Sequence, residues 1–169
     1  MMQLTIEEIK MQDRRRAAIH ESGHLTVAVA LGIDARAWVY ENKGCDVWES
    51  HTWLGRMEAT RHPPSVAVAG VVAECWAKDP EVDCWNIGEF IRLDVITPSP
   101  TDLVNFPADE KLEETIEESL VLLVKYKKFF DWAVARLVED EGITNGEARD
   151  QFDEFDGRLP AWKLAQLSA

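Results

Sequence analysis

Residues 20–24 read His20-Glu21-Ser22-Gly23-His24, and they lie within what we expect to be one long helix. Histidines four residues apart lie on the same helical face, one turn from each other. Both imidazoles can therefore reach a single metal ion, and Glu21 stands where a carboxylate can hold a metal-bound water. The spacing predicts a metal site on this helix, around which the rest of the chain must fold.

The surrounding residues favour a long, buried helix over a solvated helix with two chance histidines. Thr5 and Glu8 have the spacing of a capping box, and Gly32 is a typical residue just beyond a helix that ends near Leu31. Gly23 costs about 1 kcal/mol relative to alanine inside a helix, which indicates a need for space beside the site. The predicted apolar face contains Ile6, Ile9, Ala17, His20, His24, Val27 and Leu31.

The remaining pattern predicts a mainly α fold with a small β-sheet or hairpin after the first helix. We treat residues 1–157 as a single domain and residues 158–169 as a C-terminal tail. The predicted elements are strands at 36–41 and 52–59 separated by a loop at 42–50, a helix from Pro63-Pro64 to Trp76, a connection at 78–98, a helix start at Ser99-Pro100, a long helix at 109–141, and a short helix capped by Thr144 and Glu147.

Composition restricts the classes of partner. The 169-residue chain has a net charge of −13, which argues against nucleic acid and anionic membranes. The basic run Arg14-Arg15-Arg16 is interpreted as a solvated face. Neither a signal peptide nor a stretch suited to membrane insertion is expected, and three widely spaced cysteines are typical of reduced thiols, so we expect a cytoplasmic protein.

A catalytic zinc usually takes three protein ligands and leaves one position for water, so a third ligand must come from elsewhere. Glu74 and Asp102 are the best carboxylate candidates, because each lies on or at the start of a predicted helix. The alternative for Asp102 is a carboxylate favoured by the positive end of its helix. The alternative for Glu74 is a solvated position. The residues alone leave this choice open.

Four segments in order resemble the peptidase domain of the FtsH family, the membrane-anchored AAA proteases. They are Ala18-Ile19-His20-Glu21-Ser22-Gly23-His24, Leu54-Gly55, Gly70-Val71-Val72-Ala73-Glu74 and Thr101-Asp102-Leu103. The resemblance covers roughly residues 10–155. It implies a zincin-like helical metallopeptidase domain with a C-terminal helical bundle, formed by helices between Thr115 and Phe152.

The resemblance implies that His20, His24 and Asp102 bind Zn²⁺ and that Glu21 is catalytic. Glu74 would support the site, and it remains the alternative third ligand. The chain departs from the family pattern at Ser22, at the Val71-Val72 pair and at Thr101. It also contains neither a nucleotide-binding G-x-x-x-x-G-K-[ST] motif nor a membrane-spanning stretch, so ATP-driven unfolding is not implied.

The leading hypothesis is a zinc-dependent endopeptidase acting on unfolded or flexible polypeptides, with Glu21 as general base on zinc-bound water. Trp53, Leu54 and Gly55 are the candidates for a strand that pairs with substrate. Tyr40, His51 and His62 are weak candidates for stabilising the oxyanion. An ATPase or adaptor in trans and a homo-oligomer are compatible with the sequence. The alternative is a catalytically inactive, zinc-stabilised interaction module with the same fold.

Overall fold

The computed structural model describes residues 5–42, 47–55, 62–140 and 142–157, and in these ranges it is mainly helical with one small sheet. This confirms the predicted fold class at that level. The elements in chain order are α1 (Ile6–Ala30), β1 (Ala35–Asn42), β2 (Val47–Leu54), α2 (Pro64–Lys78), α3 (Cys84–Arg92), 3₁₀ turns at Asp102–Asn105 and Asp109–Lys111, α4 (Leu112–Lys125), α5 (Lys127–Glu139), β3 (Gly142–Ile143) and α6 (Asn145–Phe155).

Helix α1 is the central element, and it packs against α2, α5 and both long strands. Its capping box is confirmed, because Thr5 and Glu8 bond each other's backbone amides. Burial begins at Ala18 and extends through Val29. The predicted apolar face is wrong at its two ends, where Ile6, Ile9 and Leu31 are exposed because none of the described elements covers them. The buried half of α1 is the half that carries the histidines.

Gly23 lies where α1 and α2 come closest together. A Cβ built on Gly23 would stand 2.4 Å from the carbonyl oxygen of Ala69 and 2.7 Å from the Cβ of Ala73. Only glycine fits this approach without moving α2. The predicted need for space is therefore confirmed, and its cause is the close contact of the two helices that form the site.

The sheet has the strand order β2-β1-β3, and both pairs are antiparallel. The prediction for β1 is close to the observed strand. The prediction for β2 is wrong, because the strand begins at Val47, inside the predicted loop, and ends at Leu54. The full register with β1 explains the shift: Ala35 pairs with Leu54 and Asn42 with Val47, so the two strands run together over their whole length. The predicted residues 56–59 lie outside the described ranges.

Successive residues of β2 direct their main-chain N–H and C=O groups alternately at β1 and at the outer edge, the side of β2 away from β1. This alternation decides which residues could pair with a further strand. In an antiparallel pair, every second residue directs its N–H and C=O at the partner strand. The amide of Gly55 donates to the carbonyl of Asp34 at 2.6 Å, whereas that of Trp48 donates to the Asp13 carboxylate at 3.1 Å. Main-chain groups of residues 48, 50, 52 and 54 therefore face away from β1, towards the outer edge of β2, where the described part of the chain contains no further strand.

The C-terminal half differs from the prediction in three places. The connection at 78–98 contains α3, whose N-cap Asp83 accepts from the amide of Asn86. Ser99-Pro100 starts only a short 3₁₀ turn. The long helix at 109–141 is divided at Tyr126, although hydrogen bonds continue across the division. The two halves pack on different elements, α4 mainly on α2 and α3 and α5 mainly on α1.

Short helix α6 closes the described part of the chain, and its predicted capping box of Thr144 and Glu147 is confirmed. Phe152 of α6 stacks against Phe129 and Tyr126, which attaches the helix to α5. The hydrophobic core is formed by buried side chains from all the major helices and from β1. Its largest fully buried side chains include Leu25, Val39, Val68, Ile87, Ile116, Leu123, Phe129 and Leu137.

Candidate metal centre

Three side chains from α1 and the first 3₁₀ turn converge on one point. The Nε2 atoms of His20 and His24 are 3.1 Å apart, and the carboxylate of Asp102 lies 3.4 Å from the first and 3.2 Å from the second. Ligands placed about 2.0–2.1 Å from a tetrahedral zinc are separated by roughly 3.3 Å. The Nε2–Nε2 distance is close to that value, and one ligand atom from each residue gives a triangle whose corners all lie within 4.8 Å of one another, a group that could hold a metal ion.

Space for this group is provided by Gly70 on α2. A Cβ built there would stand 2.5 Å from the Nε2 atoms of both His20 and His24. Any larger residue at position 70 would occupy the place where the two imidazoles meet. The donor set and the space left beside it therefore both fit a zinc ion.

Each imidazole is held by a hydrogen bond at its other nitrogen. His20 Nδ1 lies 2.8 Å from Glu74 Oε1, and His24 Nδ1 lies 2.6 Å from the main-chain carbonyl of Val66. A carbonyl can only accept, so His24 donates from Nδ1 and its Nε2 is free to act as a ligand atom. Carboxylate and carbonyl partners of this kind orient histidine ligands and raise their basicity.

Glu74 is a partner of His20 rather than a member of the triangle. Its second oxygen accepts from Arg16 Nε at 2.6 Å, so both of its oxygens are engaged away from the metal position. The geometry places Asp102 beside both Nε2 atoms and Glu74 beside Nδ1 of one ring. Of the two carboxylate candidates, only Asp102 faces the point between the imidazoles.

The carboxylates around the two imidazoles determine the charge of the cluster. Burial alone would lower the pKa of His20, but hydrogen bonds to Asp102 and Glu74, with the nearby charge of Glu21, raise it to about 10. Burial alone would raise the pKa of Asp102, but the two imidazoles hold the pKa of that carboxyl well below its usual range. Without a metal, the carboxylates hold a proton on His20. A bound cation would take the place of that charge.

Asp102 is held by a reciprocal pair of hydrogen bonds with Ser99. The amide of Ser99 donates to Asp102 Oδ2 at 3.1 Å, and the amide of Asp102 donates to Ser99 Oγ at 3.3 Å. The turn that follows is too short to contribute much of a helix dipole, and the carboxylate is oriented mainly by Ser99 and the imidazoles. The Asp102 side chain is only 12% exposed.

Glu21 lies on the same helix, one residue after His20, and is 5% exposed. Thr52 of β2 donates from Oγ1 to Glu21 Oε2 at 2.5 Å. The base predicted from sequence is thus hydrogen-bonded to β2, an edge strand of the described sheet.

The cluster opens into a cleft of about 520 Å³ between α1, β2, the start of α2 and the segment around Asp102. Trp53 and Leu54 line the cleft. Of the three predicted substrate-strand residues, Leu54 directs its main-chain groups towards the outer edge of β2, whereas Trp53 and Gly55 direct theirs at β1. Their role in binding stays a prediction. His51 and His62 also line the cleft, while Tyr40 is exposed and donates to Glu49.

Two residues of the site are absent from the sequence-based prediction. Arg16 belongs to the basic run interpreted as a solvated face, but it holds Glu74, and Arg14 of the same run lies 4.5 Å from the centroid of the Trp48 ring. Arg16 is one helical turn before His20, so the spacing of the helix could have indicated it. Nothing in the sequence signals that Thr52 reaches Glu21, because the contact depends on the register of β2.

Two further sequence-based predictions concern the thiols, expected to be reduced, and the absence of a stretch suited to membrane insertion. Cys75 and Cys84 are free thiols, and burial raises the pKa of the Cys75 thiol to about 11. Cys45 lies outside the described residues. None of the helices in the described ranges combines the length and apolar character needed to cross a membrane.

Comparison of the chain with models of known families, with curated proteins and with solved structures gave no match to any of them.

Proposed function

We propose that this chain is a zinc-dependent endopeptidase in which His20, His24 and Asp102 hold the metal and Glu21 is the general base. The observation that carries the proposal is the convergence of two Nε2 atoms 3.1 Å apart with the Asp102 carboxylate, whose Oδ2 lies 3.4 Å from His20 Nε2 and whose Oδ1 lies 3.2 Å from His24 Nε2. These side chains come from the H-E-x-x-H helix and from the one aspartate that the FtsH-like order of segments had indicated. The zincin-like fold and the relationship to that family belong to the same proposal.

Zinc in such a site supplies Lewis-acid polarisation of the scissile carbonyl and makes the attacking water more acidic. The residues of the chain transfer the protons and orient the side chains that would hold the metal. Glu21 takes a proton from the attacking water and delivers it to the leaving amine. Glu74 and Val66 fix the two imidazoles so that their Nε2 atoms face the cleft, and Ser99 does the same for the Asp102 carboxylate.

The substrate would be an extended stretch of polypeptide. Main-chain groups of Ser50, Thr52 and Leu54 face the outer edge of β2, beside Glu21, so a peptide can add to the sheet by main-chain pairing. Recognition through main-chain atoms gives weak sequence preference, and it requires that the substrate be unfolded or flexible there. An ATPase or adaptor acting in trans would supply such segments from folded proteins.

The proposal is tested by zinc content and by hydrolysis of an unfolded protein such as casein, for the wild type and for Glu21→Gln. We expect about one zinc per chain in both proteins and a loss of at least about 1,000-fold in activity for the variant, since the base is absent while the ligands remain. If neither protein hydrolyses casein although both hold zinc, the site is a structural one in an interaction module. If activity survives in the variant, Glu21 is not the base.

A further inference from the structure

Thr52 is the residue through which β2 reaches the general base. Its hydroxyl donates to Glu21 Oε2 at 2.5 Å and also lies 3.3 Å from the main-chain carbonyl oxygen of Glu21. Among the residues that the structure describes, no other side chain is within hydrogen-bonding distance of the Glu21 carboxylate. A buried carboxylate without a hydrogen-bond partner would be costly, so this single contact has a large share in deciding where the carboxylate points.

We propose that Thr52 is a positioning residue for Glu21: its hydroxyl holds Oε2 and leaves Oε1 to accept the proton of the attacking water. The inference rests on the proposed peptidase function. A glutamate has three side-chain torsions, and one short hydrogen bond from a residue fixed in a sheet removes most of that freedom. The reacting geometry is sensitive to such control, because a displacement of about 1 Å can cost roughly 100-fold in rate.

The position of Thr52 in β2 gives the contact a second consequence. Thr52 belongs to the set of residues whose N–H and C=O face the outer edge of β2, while its side chain points to α1. A peptide that pairs with the edge at Thr52 therefore binds the main chain of the same residue that holds the base. Substrate binding would restrain the strand and, through the hydroxyl, the carboxylate.

The matched variants Thr52→Val and Thr52→Ser separate the hydroxyl from the shape of the side chain. Valine keeps the branched shape and removes the donor, whereas serine keeps the donor. We expect Thr52→Val to lower kcat on casein by on the order of 10- to 100-fold with KM changed less than about threefold, because the main-chain pairing is retained. Zinc content should stay at the wild-type level, and Thr52→Ser should recover most of kcat.

Three outcomes would overturn the inference. They are a wild-type kcat in Thr52→Val, an equal loss of kcat in Thr52→Ser and Thr52→Val, and a loss in Thr52→Val that appears only in KM. The second outcome would show that packing of the methyl group, rather than the hydroxyl, is what matters.

A measurement without catalysis keeps this inference separate from the proposed function. In a double-mutant cycle of Thr52→Val and Glu21→Ala, read from urea unfolding of metal-free protein, we expect coupling on the order of tenfold in the unfolding equilibrium constant. Thr52→Val combined with Thr144→Ala, at the cap of α6, should be additive. If the wild type proves inactive but the first cycle shows coupling, the function fails and the contact stands. If the first cycle is additive, the positioning role fails whatever the activity.

Discussion

Gly70 stands opposite the two imidazoles, and the site depends on its lack of a side chain. A Cβ added at Gly70 would come within 2.5 Å of ring atoms of His20 and His24, which could turn away if they were free. They are not free, because Glu74 and the Val66 carbonyl hold the other nitrogen of each ring. A methyl group at position 70 would therefore push Nε2 atoms out of the triangle.

We expect Gly70→Ala to weaken zinc binding by at least about 100-fold, although alanine favours a helix over glycine by about 1 kcal/mol. Zinc affinity measured by competition with a chromophoric chelator checks this. Gly146→Ala is the matched control, since no atom of the described residues lies within 4 Å of a Cβ built at that position in α6. Equal zinc affinity in Gly70→Ala and wild type would mean that the metal, if bound, lies elsewhere.

The two carboxylates should differ when each is removed. Asp102→Ala deletes the proposed third ligand and is expected to cost more than about 100-fold in zinc affinity, whereas Glu74→Ala deletes the partner of His20 and should cost about 10- to 100-fold. The exposed Glu114→Ala serves as the control for loss of charge. The same chelator competition ranks all three. A larger loss in Glu74→Ala than in Asp102→Ala would reverse the assignment of the third ligand.

The residues of the site differ in how far the sequence could predict them. The pair His20 and His24 follows from helical spacing alone, which is a local property. Asp102 could be singled out from Glu74 only by the FtsH-like order of segments, because no local pattern joins it to α1. The role of Thr52 could not be predicted from the sequence, since its contact with Glu21 depends on the register of β1 with β2 and on the packing of β2 against α1.

At the scale of elements, the contact of α1 with α2 holds the ligand rings against Gly70 and Glu74. Gly23 is the point of closest approach, and the nearest atom to a Cβ there is a backbone oxygen, which cannot rotate out of the way. The separation of the two helices is therefore set by this residue.

We expect Gly23→Ala to lower the free energy of unfolding by about 1–3 kcal/mol, because the overpacking exceeds the gain in helix propensity. Urea denaturation of metal-free protein followed by circular dichroism measures it. Gly146→Ala should be neutral or stabilising by up to about 1 kcal/mol. A stabilised Gly23→Ala would show that the helices are not in close contact.

Elements with strong local signals are predictable from the sequence, and those set by tertiary packing are not. Both capping boxes start helices where expected. Helix α3 is not predicted because it has only nine residues, which together with the cap Asp83 give too short a pattern to recognise. The division at Tyr126 has no proline or glycine beside it in the sequence, and the two helices differ in the elements on which they pack.

At the scale of the whole molecule, the metal would join two parts of the chain that are far apart in sequence. His20 and His24 belong to α1, and Asp102 follows β1, β2, α2 and α3 in the chain. An ion held by all three binds the folded chain and not the unfolded one, so it stabilises the fold by mass action.

We expect zinc at about 100 times its dissociation constant to stabilise the wild type by about 2.7 kcal/mol, which corresponds to a rise in Tm of roughly 5 to 10 °C. Glu21→Gln should show the same rise, since it keeps every ligand, and Asp102→Ala should show much less. Thermal unfolding with zinc and with a chelator measures the difference. An identical Tm under both conditions for the wild type would contradict a zinc site that spans the fold.

The central claim is that His20, His24 and Asp102 hold one zinc ion, and the zinc X-ray absorption spectrum of the loaded protein tests it most directly. The account predicts one zinc per chain, surrounded by two imidazole nitrogens and oxygen at about 2.0–2.2 Å, with loss of the bound zinc in Asp102→Ala. A sulfur neighbour at about 2.3 Å would instead place the metal on cysteine. That result, or a spectrum and stoichiometry unchanged in Asp102→Ala, would contradict the account.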